Sequence, residues 1–305
     1  YTHSLIELAN NEVDTFNLQK LIMSRWLFVL PLITINLIVI VIPSIQGLFY
    51  SLTKWNGIGE STFVGIGNFL ELLDDRIFLI AFKNNIIYTI IFVTATVIIG
   101  LLVANQLANV KSGQIFYRLS FFIPYIIAVV ITTQIWRFLY HPKHGIGANL
   151  AEIGLDIFNF SVLGDKSTAL YGVLLADGWK SWGFLVVIYL AAMTSIDRDL
   201  YDSAKIDGAN KFQTFKHVTI PSIRPTIIFT LIISFINSTL VFDHIYMLTG
   251  GGPARSSEVL ATYLYEKAFE DFNVGYAAAI GVMLALWVSI PILMFYYLRR
   301  RGWDI

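Results

Sequence analysis

Six runs of roughly 20 or more apolar residues, at about 26–50, 84–109, 116–140, 168–193, 226–248 and 273–298, restrict this chain to few folds. A hydrocarbon core of about 30 Å is crossed by about 20 residues in a helix, so each run is predicted to be a transmembrane helix. The runs carry Gly, Pro and polar residues, which spans buried in protein tolerate better than spans facing lipid. Pro31, Pro43, Pro124 and Pro291 are expected at kinks or span ends, because proline removes a helical N–H. Composition agrees: 56% of the 305 residues are hydrophobic and 14% charged, against about 25% charged in a soluble domain. The fold class is therefore an all-α integral membrane protein.

Net charge is zero, so nothing directs the chain to nucleic acid. The absence of cysteine excludes disulfides and thiolate metal sites and leaves the redox compartment open. Residues 1–20 are mostly polar and lack the basic stretch and short apolar core of a secretory signal. Residues 1–25 are read as a cytoplasmic N-terminal segment ahead of a membrane domain over 26–305.

Basic residues orient the spans. With the N-terminus inside, the cytoplasmic segments hold 12 Lys and Arg and the outer loops hold 8. The terminal Arg299-Arg300-Arg301 and the compact loop with Lys111 and Arg118 fall inside. Both termini are expected in the cytoplasm, and so is the polar loop between spans four and five, "SIDRDLYDSAKIDGANKFQTFKHVTIPSIRP".

That loop predicts two short amphipathic helices joined by a glycine. Asp197 is a good N-cap, and Asp199 lies where a helix dipole favours an anion. Gly208 permits a conformation that ends or bends a helix. Ala209, Phe212 and Phe215 line one side of the second helix, Pro221 is expected to end it, and Pro225 to start the fifth span. The loop carries five basic and four acidic residues, which suits a protein pocket better than an anionic lipid surface.

The run Asp202-Ser203-Ala204, then Gly208 and Ile220-Pro221, resembles the signature loop of the membrane subunits of ATP-binding-cassette (ABC) importers. The family pattern is Glu-Ala-Ala, then Gly four residues later, then Leu-Pro or similar; Asp202, Ser203 and Ile220 depart from it while keeping size and polarity. Over about residues 80–301, "YRLSFFIPYIIAVVITTQIWRFLY" with the following "GIGANL", and "YMLTGGGPARSSEVLATYLYEKAF", are similar to carbohydrate-uptake permeases of the maltose type. The run Thr249 to Pro253 favours the first permease of such importers, and an acidic oligosaccharide is one cargo considered. The resemblance implies a second homologous permease, two copies of a cytoplasmic ATPase that bind ATP and Mg, and a periplasmic or extracellular solute-binding protein. It also implies a bacterial plasma (inner) membrane location. The residues expected to couple to the ATPase are Asp202, Ser203, Ala204, Asp207, Gly208, Ala209, Phe212 and Pro221.

No chemical engine is visible in the chain itself. It contains no G-x-x-x-x-G-K-[ST] phosphate loop and no H-E-x-x-H. His3, His141, His144, His217 and His244 form no convincing ligand set, so no metal and no cofactor of its own is expected. Charges at membrane depth cost about 2.5–3.5 kcal/mol, which singles out Asp177, Lys180, Asp243 and His244. Asp177 and Lys180, three residues apart, are expected to neutralise each other in part; Lys180 or Arg137 near the cavity mouth could otherwise favour an anionic sugar.

A polar stripe on the fifth span, Thr230, Ser234, Asn237 and Ser238 followed by Asp243, is read as a solute pathway with Trp136, Lys180, Trp182 and Tyr189. Aromatic faces beside hydroxyls and amides suit sugar rings; ordinary helix packing with an interfacial aromatic belt is the competing reading. An ion-coupled secondary carrier is the alternative function, and it would require coupling carboxylates or broken helices at the midplane. A membrane anchor for an ATPase is a third reading, which the polar stripe disfavours.

Overall fold

Long apolar runs with no competing turn chemistry become helices here as the sequence predicts, although two of them break. The structure is a computed structural model that describes residues 29–110, 112–154 and 161–300. The segment 1–25 and Arg301 lie outside the described residues.

Helix α1 covers Val29–Tyr50. A π-turn at Leu37–Val41 lies just ahead of Pro43 and shifts the register where that residue has no N–H to give. A short hairpin follows, β1 (Thr53–Lys54) antiparallel to β2 (Thr62–Phe63), with Thr53 opposite Phe63. Helix α2 (Gly67–Asp74) is tied to it by the buried Asn68 amide, which donates to the carbonyls of Ser51 and Thr53 at 2.8 and 2.9 Å.

Helix α3 (Arg76–Ala108) runs 33 residues and starts eight residues ahead of the predicted span. Its N-cap, Asp75, accepts from the N–H groups of Ile77 and Phe78. Next come α4 (Gln114–Ile126), α5 (Val129–Leu139), α6 (Ile146–Glu152) and α7 (Ala169–Thr194). The chain continues with α8 (Arg198–Ile206), α9 (Lys211–Ser222), α10 (Arg224–Thr239) and α11 (Asp243–Leu248). It closes with α12 (Leu260–Tyr265), a π-turn at Glu266–Glu270, and α13 (Val274–Arg300). Among the described residues, four helices (α1, α3, α7 and α13) are long and apolar enough to cross a membrane, and the number rises to six if two bent pairs each count as one span.

Those pairs are where structure and sequence differ. The predicted third span is α4 and α5 meeting at 96°, because Ile127 and Ala128 are extended. Pro124 lies inside α4 and does not end it. The predicted fifth span is α10 alone, since the helix stops at Thr239 and α11 starts again at Asp243. Pro221 does not end the second loop helix as expected. A π-turn at Phe215–Thr219 absorbs its missing N–H, α9 continues to Ser222, and the 75° bend falls at Ile223. Pro225 does sit in the first turn of α10.

The core is built around α3 and α7. Tyr88, Phe92, Val173 and Ala176 pack with Val241 and Ile245 in one cluster, and Val97, Ala104, Leu185 and Val186 pack with Ile223 in another. Lipid tails are as apolar as these side chains, so close van der Waals fit rather than water exclusion holds spans together. Gly183 shows how close: a Cβ there would lie 1.8 Å from the Phe121 carbonyl oxygen, so α4 can cross α7 only over a glycine. A third cluster, with Leu72, Phe78, Leu260, Tyr263 and Ile280, holds α2, α12 and α13 at the hairpin end of the bundle.

Candidate functional site

The loop between α7 and α10 is a two-helix element, α8 and α9, with each helix capped by its own side chains. Asp197 caps α8 by accepting from the N–H of Asp199. Gly208, at φ +78°, is left-handed: its N–H bonds to the Lys205 carbonyl, and the N–H of Ala209 reaches back to the Ala204 carbonyl. This is the paired 5→2 and 6→1 closure of a Schellman motif, which glycine adopts without strain. Asn210 and Gln213 then form a reciprocal capping box for α9 at 2.9 and 2.8 Å. The N-x-x-Q spacing carried that signal and was not used in the sequence reading.

Tyr201 and Thr219 share a hydrogen bond at 3.2 Å that ties α8 to α9. Asp202, Ser203, Asp207, Gly208 and Pro221 are exposed, while Ala204 and Ala209 are half-buried. The Lys205 ammonium donates to Asp202 at 2.8 Å and holds that carboxyl below its ordinary pKa. Ile206 and Phe212, 86% and 70% exposed, project from the element with Leu200 and meet no core.

The pathway residues do not form one stripe. Thr230, Ser234 and Ser238 are buried against the chain's own core. Tyr189 is buried as well, its hydroxyl shared with Thr230, so it packs α7 on α10 and lines no opening in this chain. Asn237 and Asp243 are exposed on the chain's surface. Trp182 packs its ring against Phe121 at 5.1 Å, and Trp136 meets Trp179 edge-on at 5.8 Å. The buried indole N–H of Trp136 finds no acceptor among the described residues.

Lys180 does not pair with Asp177 as the spacing suggested; its ammonium lies over the Tyr125 ring, 5.8 Å from the centroid. Asp177 instead accepts from the Tyr88 hydroxyl at 2.8 Å and from Ser181 at 3.2 Å, and faces Nδ1 of His244 at 3.6 Å. Tyr88 lies 89 residues away in sequence, so helical spacing could not have found it. Arg137 donates to the Met247 carbonyl and bridges α5 to α11. His141 and His144 stack at 5.1 Å, yet among the described residues no group of three or more His, Cys, Asp or Glu could hold a metal ion.

At the hairpin end, Arg255 bridges Glu258 and Glu266, and Glu258 is only 2% exposed. The hydroxyls of Tyr263 and Tyr276 both donate to Asp75, the latter at 2.6 Å. Asn84 and Asn85 stitch α3 to the same region. Asn84 donates to the carbonyls of Ser256 and Glu258; Asn85 donates to the Thr239 carbonyl and accepts from the N–H of Leu260. Sequence patterning missed this network because its members lie far apart in the chain: Asp75 and Tyr276 are 201 residues apart, and Asn84 and Glu258 are 174.

A bundle of long apolar helices with a capped polar element at one end and buried polar contacts between them is the architecture of a multi-pass membrane protein. Residues 96–303 match the family described as binding-protein-dependent transport system inner membrane component. The chain belongs to that family and is a permease subunit of ABC transporters.

A probable ABC transporter permease of Bacillus subtilis is 35% identical over 265 residues, 86% of this chain and 90% of that one. A probable starch degradation products permease of Thermoanaerobacterium thermosulfurigenes is 33% identical, covering 90% of this chain and 94% of that one. These relatives are permease proteins, membrane components of transporters rather than ATPases. Among solved structures, a bacterial ABC transporter involved in the import of the acidic polysaccharide alginate contains a similar chain. It matches with a TM-score of 0.82 at 26% identity, over 93% of this chain and 99% of that one. A similar chain, again with a TM-score of 0.82 at 26% identity, occurs in a bacterial alginate ABC transporter in complex with an alginate pentasaccharide-bound periplasmic protein.

Proposed function

We propose that this chain is one of two homologous permeases in an ATP-driven importer that moves a sugar or oligosaccharide into the cytoplasm. In this reading six spans, with the bent α4–α5 pair counted as one and α10 as another, cross a bacterial plasma membrane and both termini are cytoplasmic. Two copies of a cytoplasmic ATPase bind ATP and Mg, and a periplasmic or extracellular binding protein delivers cargo. The carbohydrate assignment rests on the relatives: besides the starch-product permease, a trehalose/maltose permease of Thermococcus litoralis is 31% identical over 272 residues.

The single observation that carries the mechanism is the α8–Gly208–α9 element. Capped at both ends of its bend and tied across by Tyr201 and Thr219, it can transmit a push without fraying. Ile206 and Phe212 offer apolar contact to a cleft on the ATPase. Closure of that cleft drives alternating access, a population shift between two packings of the spans. Moving a gate from 1:99 to 99:1 takes about 5.5 kcal/mol of differential binding, which a seated rigid element delivers and a loose one does not. Asn237 and Asp243, exposed on this chain, face the second permease across the pathway, with Trp182 and Lys180 supplying aromatic and cationic surface nearby.

The test is uptake in proteoliposomes with the full partner set. Transport requires ATP and binding protein; uptake driven by an imposed ion gradient without ATP refutes this reading in favour of a secondary carrier.

A further inference from the structure

Lys180 is the twelfth of the 26 residues of α7, so its charge lies near the middle of a helix long enough to cross a membrane. A charge at that depth carries an insertion cost and is kept where it meets a counter-charge or a water-filled cavity. Among the described residues Lys180 has no counter-charge. Asp177, one turn away, accepts from Tyr88 and Ser181 and faces His244. Asp243, which like Lys180 lies within electrostatic reach of His244, forms no ion pair with Lys180. Arg137, the other cation of this region, is turned onto the Met247 carbonyl.

The half-buried Lys180 ammonium instead stands 5.8 Å from the centre of the Tyr125 ring, close to the limit of about 6 Å for a cation–π contact. None of its N–H donors has a hydrogen-bond acceptor among the described residues. Tyr125 is 38% exposed and stacks on Phe184 at 4.6 Å, so an aromatic face adjoins the cation. Tyr125 also lies in the last turn of α4, two residues before the extended Ile127. Non-helical backbone at membrane depth occurs against protein or beside a water-filled cavity, and Ala128 in this break is exposed on the chain. An aromatic face, an unpaired ammonium and a broken span thus meet at one place.

A ligand matched to that place has an apolar face to lie on the ring and an anion to accept from the ammonium. We propose that Lys180 is a cargo-binding residue and that the cargo is an acidic oligosaccharide, with the C–H face of a uronate on Tyr125 and its carboxylate on Lys180. Aromatic faces suit sugar rings, and a charge-assisted hydrogen bond is about twice as strong as a neutral one, so the site selects charge as well as shape. One ammonium matches the single charge of a carboxylate, whereas a phosphate dianion calls for further cations. The inference rests on the importer reading and narrows its cargo.

The experiment measures binding of trigalacturonate and trimannuronate, each against its neutral methyl ester, by equilibrium dialysis. The assembled transporter is held in nanodiscs without nucleotide and without the binding protein, whose own preference then does not enter. The expected result is that an acid binds about tenfold or more tighter than its ester. Lys180→Arg keeps that preference, and Lys180→Met abolishes it while ester binding stays unchanged. Tyr125→Leu weakens acid and ester alike. Equal binding of acid and ester, binding of neither, or an unaltered preference in Lys180→Met overturns the proposal. Loss of the second permease from the Lys180→Met complex would put a partner carboxylate on the ammonium and overturn it equally. The measurement needs neither ATP nor an ion gradient, so its failure is distinct from failure of the importer reading, which the proteoliposome test decides.

Discussion

Replacing Gly208 by Ala, Asn and Leu separates what the bend needs from what a partner needs. At φ +78° an L-residue costs about 1–2 kcal/mol, a factor of about 5–30 between the closed and frayed bend. Asn visits this region more readily than Ala because its side chain bonds locally. A Cβ built on Gly208 meets nothing within 4 Å, so inside this chain Leu has as much room as Ala. The Ala and Leu variants should therefore insert normally and melt at the same temperature, slightly below wild type, with Asn closest to it. Transport should divide them. Binding-protein-stimulated ATP hydrolysis and uptake in proteoliposomes should persist in the Asn and Ala variants and be abolished in Leu, whose side chain projects into the space a docking cleft would occupy. Equal uptake by the Ala and Leu variants would refute docking at Gly208.

Other perturbations read other parts of the bundle. Asn237→Leu should reduce uptake while the ATPase still co-purifies; unaltered uptake would assign Asn237 to packing alone. Arg255→Ala strands the buried Glu258 without its cation. Breaking a fully buried pair costs about 3–5 kcal/mol, and less here because Arg255 is partly exposed; the complex should melt several degrees lower, and an unchanged melting temperature would discount the pair. Burial alone would raise the Asp75 carboxyl, but hydrogen bonds from Tyr263, Tyr276 and two backbone N–H groups outweigh it and hold it below its ordinary range. Its contribution is then complete above the ordinary carboxylate range and lost as pH falls through the lowered folded value. Asp75→Asn should flatten that acid limb of the melting profile, and an identical acid limb in the variant would count against the assignment.

The spans were legible because apolar length is a local property. Ile127 and Ala128 were not, since the run Ile126 to Val130 contains no breaker, and the two halves of the 96° turn pack on different elements, α4 on α7 and α5 on α11. Within the loop, Asp197 and Gly208 announce themselves by residue type, whereas Pro221 misled because a π-turn can absorb a missing N–H. Which members of the polar stripe are buried was hidden for a related reason. Helical spacing places Ser234 and Asn237 close together, but only the positions of α3 and α7 decide which is buried and which exposed. Asp177 shows the same limit: its neighbour at i+3 is Lys180, but apart from Ser181 on its own helix its partners arrive from α3 and α11.

The stitching of Asn84 and Asn85 bears on how the protein is made. Their partners at Thr239, Ser256, Glu258 and Leu260 lie 154 to 175 residues further along the chain. Synthesis runs from the N-terminus, so α3 enters the membrane long before those groups exist. Until they arrive, two side-chain amides lack the partners of the finished fold, and a buried polar group left unpaired costs about 1–3 kcal/mol. A nascent chain stopped before Thr239 is thus held short of its final packing, and the last third of the polypeptide completes the first half as well as itself.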